Sequence, residues 1–132
     1  MYHEKKDYIR AVLEGVAMNL EIILQAHRKS SKIDRMILTG GGAKGDIVAQ
    51  ILADVLKTEL VRPNYVEEST SIAAAVIAGV GCGVYEDFSA INSFLKFGNP
   101  VKPREEVQEV YAREKELFEA AYQALRPLYP KM

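Results

Sequence analysis

The chain has 132 residues, 48% of them hydrophobic, and a formal net charge of -1. That length suits one compact domain, and the balanced charge lacks the basic excess that a nucleic-acid surface requires. No uninterrupted apolar run reaches the length of a membrane span, and the charged residues 1–7 do not form the apolar stretch of a secretory signal. Cys82 is the single cysteine, so no internal disulfide can form, and the expected setting is the cytoplasm.

Residues 8–29 read as a helix. Ile9, Val12, Val16, Leu20 and Ile23 recur at steps of three and four, and Leu13, Ile22 and Leu24 widen the stripe. Such a helix is expected to pack on more than one side. Residues 35–39 are short, apolar and followed by glycines, and read as a buried strand. Val48, Ile51, Leu52 and Val55 mark an amphipathic helix over 46–57, with Asp46 as its expected N-cap. Residues 59–62 read as a second strand, stopped by Pro63.

A third helix is predicted over 68–81. Its centre, residues 72–78, is small and apolar nearly all round, which predicts deep burial; Gly79, Gly81 and Gly83 close it. Residues 85–103 read as irregular, with a short helix near 87–92. The last helix follows Pro103 and runs to about Leu125. Glu105 and Glu106 lie in its first turn, where the dipole favours anions, and Val107, Tyr111, Phe118, Tyr122 and Leu125 form its stripe. Strand, helix and strand with a short crossover predict parallel pairing and an α/β layer. Two strands are few for a parallel sheet, which is normally covered on both faces, so the chain reads as part of a larger one.

Chemistry concentrates in Gly40-Gly41-Gly42-Ala43-Lys44-Gly45 between the first strand and the second helix. Glycines let a ligand touch the backbone, and a helix start presents free N–H groups and partial positive charge, together a site for phosphate. Gly40, Gly42 and Gly45 match the G-x-G-x-x-G pattern of a dinucleotide fold. That fold wants an acid at the end of the second strand, where Arg62 stands; an arginine there would suit a 2′-phosphate instead. A P-loop needs lysine after the last glycine, and Asp46 follows Gly45, so that reading fails. The third reading is the nucleotide loop of an actin–hexokinase-type kinase.

Residues 36–46, MILTGGGAKGD, followed by Gln50-Ile51-Leu52-Ala53-Asp54, resemble the strand, T-G-G-G-A-K loop and Q-x-x-A-D helix of FGGY carbohydrate kinases, xylulose kinases most of all. Residues 67–79 resemble that family's E-x-x-A-x-G-A-A-x-x-A segment, with Ala73 where the family usually has glycine. Residues 10–17 resemble its R-A-x-x-E-G helix, and the proline-rich stretch with Tyr111 and the final helix resemble its tail. The four segments stand in the family's order and cover nearly the whole chain.

The resemblance implies an α/β fold: a partial ribonuclease-H-like lobe of the actin–hexokinase superfamily, few parallel strands packed with several helices. Residues 1–132 would be the C-terminal portion of the ATP-binding lobe, without the N-terminal sugar-binding lobe. It implies ATP-dependent phosphorylation of a sugar such as xylulose, with magnesium carried by the nucleotide. The catalytic aspartate would lie on the other lobe, leaving no catalytic residue and no metal ligand in this chain and the chain alone inactive. Gly40, Gly41, Gly42 and Ala43 would meet the ribose–phosphate end of ATP or ADP through their backbone. Lys44 would reach a phosphate or lie solvated, and Asp46 would contact the ribose or simply cap its helix. Residues 69–73 would line the adenine pocket or pack as core. Two other readings stay open: a Rossmann-type NAD(P)-binding module, and a non-catalytic interaction domain whose open sheet edge self-associates or pairs with the other lobe. His3 and His27 have no ligand spacing, and Cys82 is expected to be a packed thiol.

Overall fold

The chain's most apolar amphipathic segment becomes the centre of the molecule. In the computed structural model, which describes residues 2–131, the helix Asp46–Leu56 (α2) buries every residue from Ile51 to Leu56. It connects two three-residue strands, Arg35–Ile37 (β1) and Glu59–Val61 (β2), which pair in parallel with Met36 opposite Leu60. The other edge of β2 is covered as well. Leu60 exchanges both backbone bonds with Val101 (3.0 and 2.8 Å), and Pro63 bridges Phe97. Part of the stretch expected to be irregular is therefore an antiparallel cover for β2.

Two helices close over α2. The first, Lys5–Arg28 (α1), is helical from a start where the Asp7 carboxylate accepts from the Glu4 N–H (2.8 Å). The second, Gln108–Leu125 (α4), follows a 3-10 turn and runs into another, Arg126–Lys131, which carries the helical path past Pro127. The core joins Ala17, Met18 and Leu24 of α1, five residues of α2, Leu60 of β2 and Tyr111 of α4. Two acids lie inside this packing. Glu21 accepts from Arg28 and Lys115 (3.2 and 3.4 Å), and Asp54 pairs with Arg104 (2.7 Å). Burying a charge is tolerated only with such partners.

Four expectations are corrected by the tertiary packing. The α1 stripe of Ile9, Val12, Val16, Leu20 and Ile23 is exposed, while Ala17, Met18, Glu21 and Leu24 face the core. α2 and α4 cover only one side of a helix that is apolar on two. The first strand is three residues long and largely exposed rather than buried, because its outer edge has no strand beside it among the described residues. The third helix, Ser69–Gly81 (α3), buries only Val76; its main neighbour is the 3-10 segment Phe88–Ser93, which is too small to cover it. Cys82, just past α3, is exposed rather than packed.

Candidate nucleotide-binding site

The backbone pairing of β1 carries on into the glycine loop. Leu38 N–H donates to Val61 O (2.8 Å), and Gly40 N–H donates to Val66 O (3.0 Å). At Gly40 φ is +84°, a conformation that side chains disfavour. The chain then folds into a 3-10 turn, Gly41–Lys44, closed by Ala43 N–H to Gly40 O (3.0 Å). Ala43 is fully buried and anchors the turn, while Gly41 and Gly42 face outward. A Cβ added to either glycine would meet no atom within 4 Å. Packing within the chain therefore does not require glycine at 41 or 42. Neither amide has an acceptor among the described residues.

α2 begins directly behind this turn. Its N-cap is Gly45, in extended backbone and without a side-chain bond, and Asp46 is the first helical residue. The expected capping role of Asp46 is thus not observed. A cap must sit in non-helical backbone one position earlier, and Gly45 holds that position. The Asp46 carboxylate pairs instead with Arg62, just beyond β2 (2.8 Å). The same guanidinium donates to Ala43 O (3.1 Å). Lys44 pairs with Glu67 (2.7 Å) on the surface, so its ammonium is neither solitary nor aimed at the glycines by a buried contact.

Two hollows flank the loop. One, about 840 Å³, lies between Gly45, Asp46 and Ile47 of the α2 start and Lys6, Ile9 and Arg10 of α1, and its walls are mostly apolar. The other, about 500 Å³, lies between Ala43, Lys44 and Arg62 on one side and Asn64 and Lys96 on the other. Residues 69–73 line neither. Arg10, at the rim of the larger hollow, donates to Tyr111 Oη (3.1 Å) and Glu14 (2.8 Å). Those bonds, the Tyr111 bond first, raise its pKa and keep it charged. Among the described residues no group of three or more His, Cys, Asp or Glu side chains could hold a metal ion.

The six residues singled out in the sequence, Gly40, Gly41, Gly42, Ala43, Lys44 and Asp46, thus form one continuous turn and helix start. Arg62 was missed as part of it. The only sequence signal was its misfit: a cation where a dinucleotide fold wants an acid. In the structure that cation is engaged by Asp46 and Ala43, which removes the support for the dinucleotide reading.

A small parallel sheet with a glycine turn feeding a central helix defines an α/β lobe, and comparison with known proteins makes the class specific. The model for the C-terminal domain of the FGGY family of carbohydrate kinases matches residues 1–82, and the chain belongs to that family. A xylulose kinase of Lactococcus lactis is 35% identical over 92 residues, 68% of this chain and 18% of that protein. A glycerol kinase of Enterococcus casseliflavus is 33% identical over 112 residues, 81% of this chain and 22% of that protein. The crystal structure of a ligand-bound xylulose kinase from Lactobacillus acidophilus superposes with a TM-score of 0.84 at 28% identity, covering 98% of this chain and 26% of that one. The chain therefore spans about a quarter or less of the length of these relatives. Its fold is that of the actin–hexokinase kinases.

Proposed function

We propose that this chain is the ATP-binding C-terminal portion of a sugar kinase that moves the γ-phosphate of ATP to a hydroxyl of a sugar such as xylulose. One observation carries the reading: Gly41 and Gly42 have amides without an acceptor among the described residues, and open space where a side chain would be. Glycine there is explained by something outside the chain approaching the backbone. With the start of α2 behind them, these amides suit the phosphates or ribose of ATP or ADP. The larger hollow beside Asp46 and Ile47 offers apolar walls for the rest of the nucleotide.

Phosphoryl transfer is mainly positioning and charge neutralisation. Here the loop and the α2 start would hold the donor, and magnesium would arrive with the nucleotide. The group that takes the proton from the sugar hydroxyl, and most of the sugar contacts, would come from a second lobe outside these 132 residues. The exposed stripe of α1 and the open edge of β1 support that arrangement. Leu20, Ile23 and Ile37 line one shallow apolar hollow there, a surface suited to packing against more protein. On this reading the chain alone binds nucleotide and phosphorylates nothing, and its setting is the cytoplasm.

The test is calorimetric titration of ATP and ADP into the chain, beside Gly42→Ala. The added methyl meets nothing within the fold, so the thermal midpoint should hold while nucleotide affinity falls by about tenfold or more. Equal binding by both forms, or no heat from the unsubstituted chain at millimolar nucleotide, would remove the reading.

A further inference from the structure

The glycine loop is the least self-supporting part of the chain, with four glycines in six residues. Free glycine backbone is conformationally permissive, and ordering it has a large entropic cost. Yet Ala43 is fully buried and the turn leads directly into α2. Something must fix the turn relative to the helix across Gly45.

Arg62 spans that joint. Its guanidinium donates one nitrogen to Ala43 O (3.1 Å), before Gly45, and another to Asp46 Oδ1 (2.8 Å), after it. A guanidinium is a rigid planar fork, so two bonds from one group set the angle between the two things it holds. The residue enters from just beyond β2 and is itself mostly covered, whereas Asp46 is largely exposed. The pair also has an electrostatic consequence. Asp46 is the first residue of α2, beside the amides that would face phosphate, and an unbalanced carboxylate there would repel an anion.

We propose that Arg62 is the positioning residue of this loop: it orders the turn ahead of binding and shields the Asp46 charge from an incoming nucleotide phosphate. The proposal rests on the nucleotide reading above, though the ordering half can be measured without a ligand. An ion pair whose carboxylate is largely exposed contributes little to global stability. Removing Arg62 should therefore loosen the loop locally and leave the core folded.

The experiment follows single amides by NMR hydrogen exchange in the full chain, then titrates ADP, in wild type, Arg62→Ala and Arg62→Lys. In Arg62→Ala the Ala43 amide should exchange about tenfold faster while those of residues 51–56 keep their rates, and the ADP Kd should rise about tenfold because pre-organisation is lost. Lysine restores a charge beside Asp46 but not the fork, so Arg62→Lys should recover part of the affinity without the Ala43 protection. Adding Asp46→Asn to Arg62→Ala should likewise recover part of the affinity. If Arg62→Ala proves unfolded, Arg62→Lys carries the exchange comparison alone. An Ala43 amide that exchanges at the wild-type rate in the variants overturns the proposal, whatever ADP does. Faster exchange in a chain whose wild type binds no ADP keeps the ordering role and removes the nucleotide reading instead. Faster exchange with an unchanged ADP Kd overturns the link between order and binding.

Discussion

At Gly79 a residue read as a helix stop turns out to be a contact. α3 runs on to Gly81, and a Cβ at Gly79 would lie 2.4 Å from Tyr85 Cδ2 and 2.6 Å from its Cε2. The ring of Tyr85 rests on the bare backbone and meets Phe94 edge-on, with centroids 6.2 Å apart. Gly79→Ala should therefore destabilise the chain by about 1–3 kcal/mol, despite alanine's better helix propensity. Denaturant melts check it, and the same change in a Tyr85→Ala background should be neutral or stabilising. Asp46 teaches a related lesson. Its position near a helix start was plain from the residues, but the structure gives it an arginine from 16 positions onward rather than its own helix amides. Local spacing placed the carboxylate, and tertiary contact chose its partner.

Between elements, the molecule is fastened at charged crossings. Asp54, fully buried on α2, accepts from the backbone N–H of Arg104 (2.8 Å) and from its Nε and Nη2 (3.0 and 2.7 Å), and also from Gln50 (2.9 Å). This clasp holds the entry to α4 against α2. Bonding to Asp54 raises the pKa of Arg104, so the guanidinium stays charged throughout the ordinary pH range. Arg104→Ala strands the buried carboxylate and should cost about 3 kcal/mol, the low end for breaking such a pair because Arg104 is itself partly exposed. Urea unfolding measures it, and Arg104→Lys should fall between the two. The order of the elements, the parallel pairing and the four main helices were all legible in the residues. The faces were less so. In α1, side chains at steps of three and four are apolar on two sides, and periodicity alone does not say which side a neighbour will cover.

For the whole molecule, Tyr111 ties the last helix to the first. It is buried, donates its hydroxyl to Glu14 (2.9 Å) and accepts from Arg10 (3.1 Å). Burial, with the bond to Glu14, raises its pKa against the lowering effect of Arg10. Unfolded, it loses its proton near pH 10, while the folded chain still holds it. The unfolded state then binds fewer protons, so stability falls as pH climbs from about 10, by up to about 1.4 kcal/mol per pH unit. Tyr111→Phe should lack that component, so the two stability curves should converge above pH 10 and stay apart below it. The open face is a second whole-molecule property. Val12, Val16 and Ile23 are more than half exposed along one helix, and light scattering should find the chain self-associated. Val12→Lys with Val16→Glu should return it to monomer without lowering its melting temperature.

Glycine spacing and residue periodicity act over a few neighbouring positions, so the helices, both strands, the turn at residues 40–45 and the family likeness can all be read along the chain. Burial depends on which surfaces distant segments bring together. Folding alone settled that the α1 stripe and α3 stay open, that residues 97–101 cover β2, and that Arg62 reaches back to hold the glycine turn.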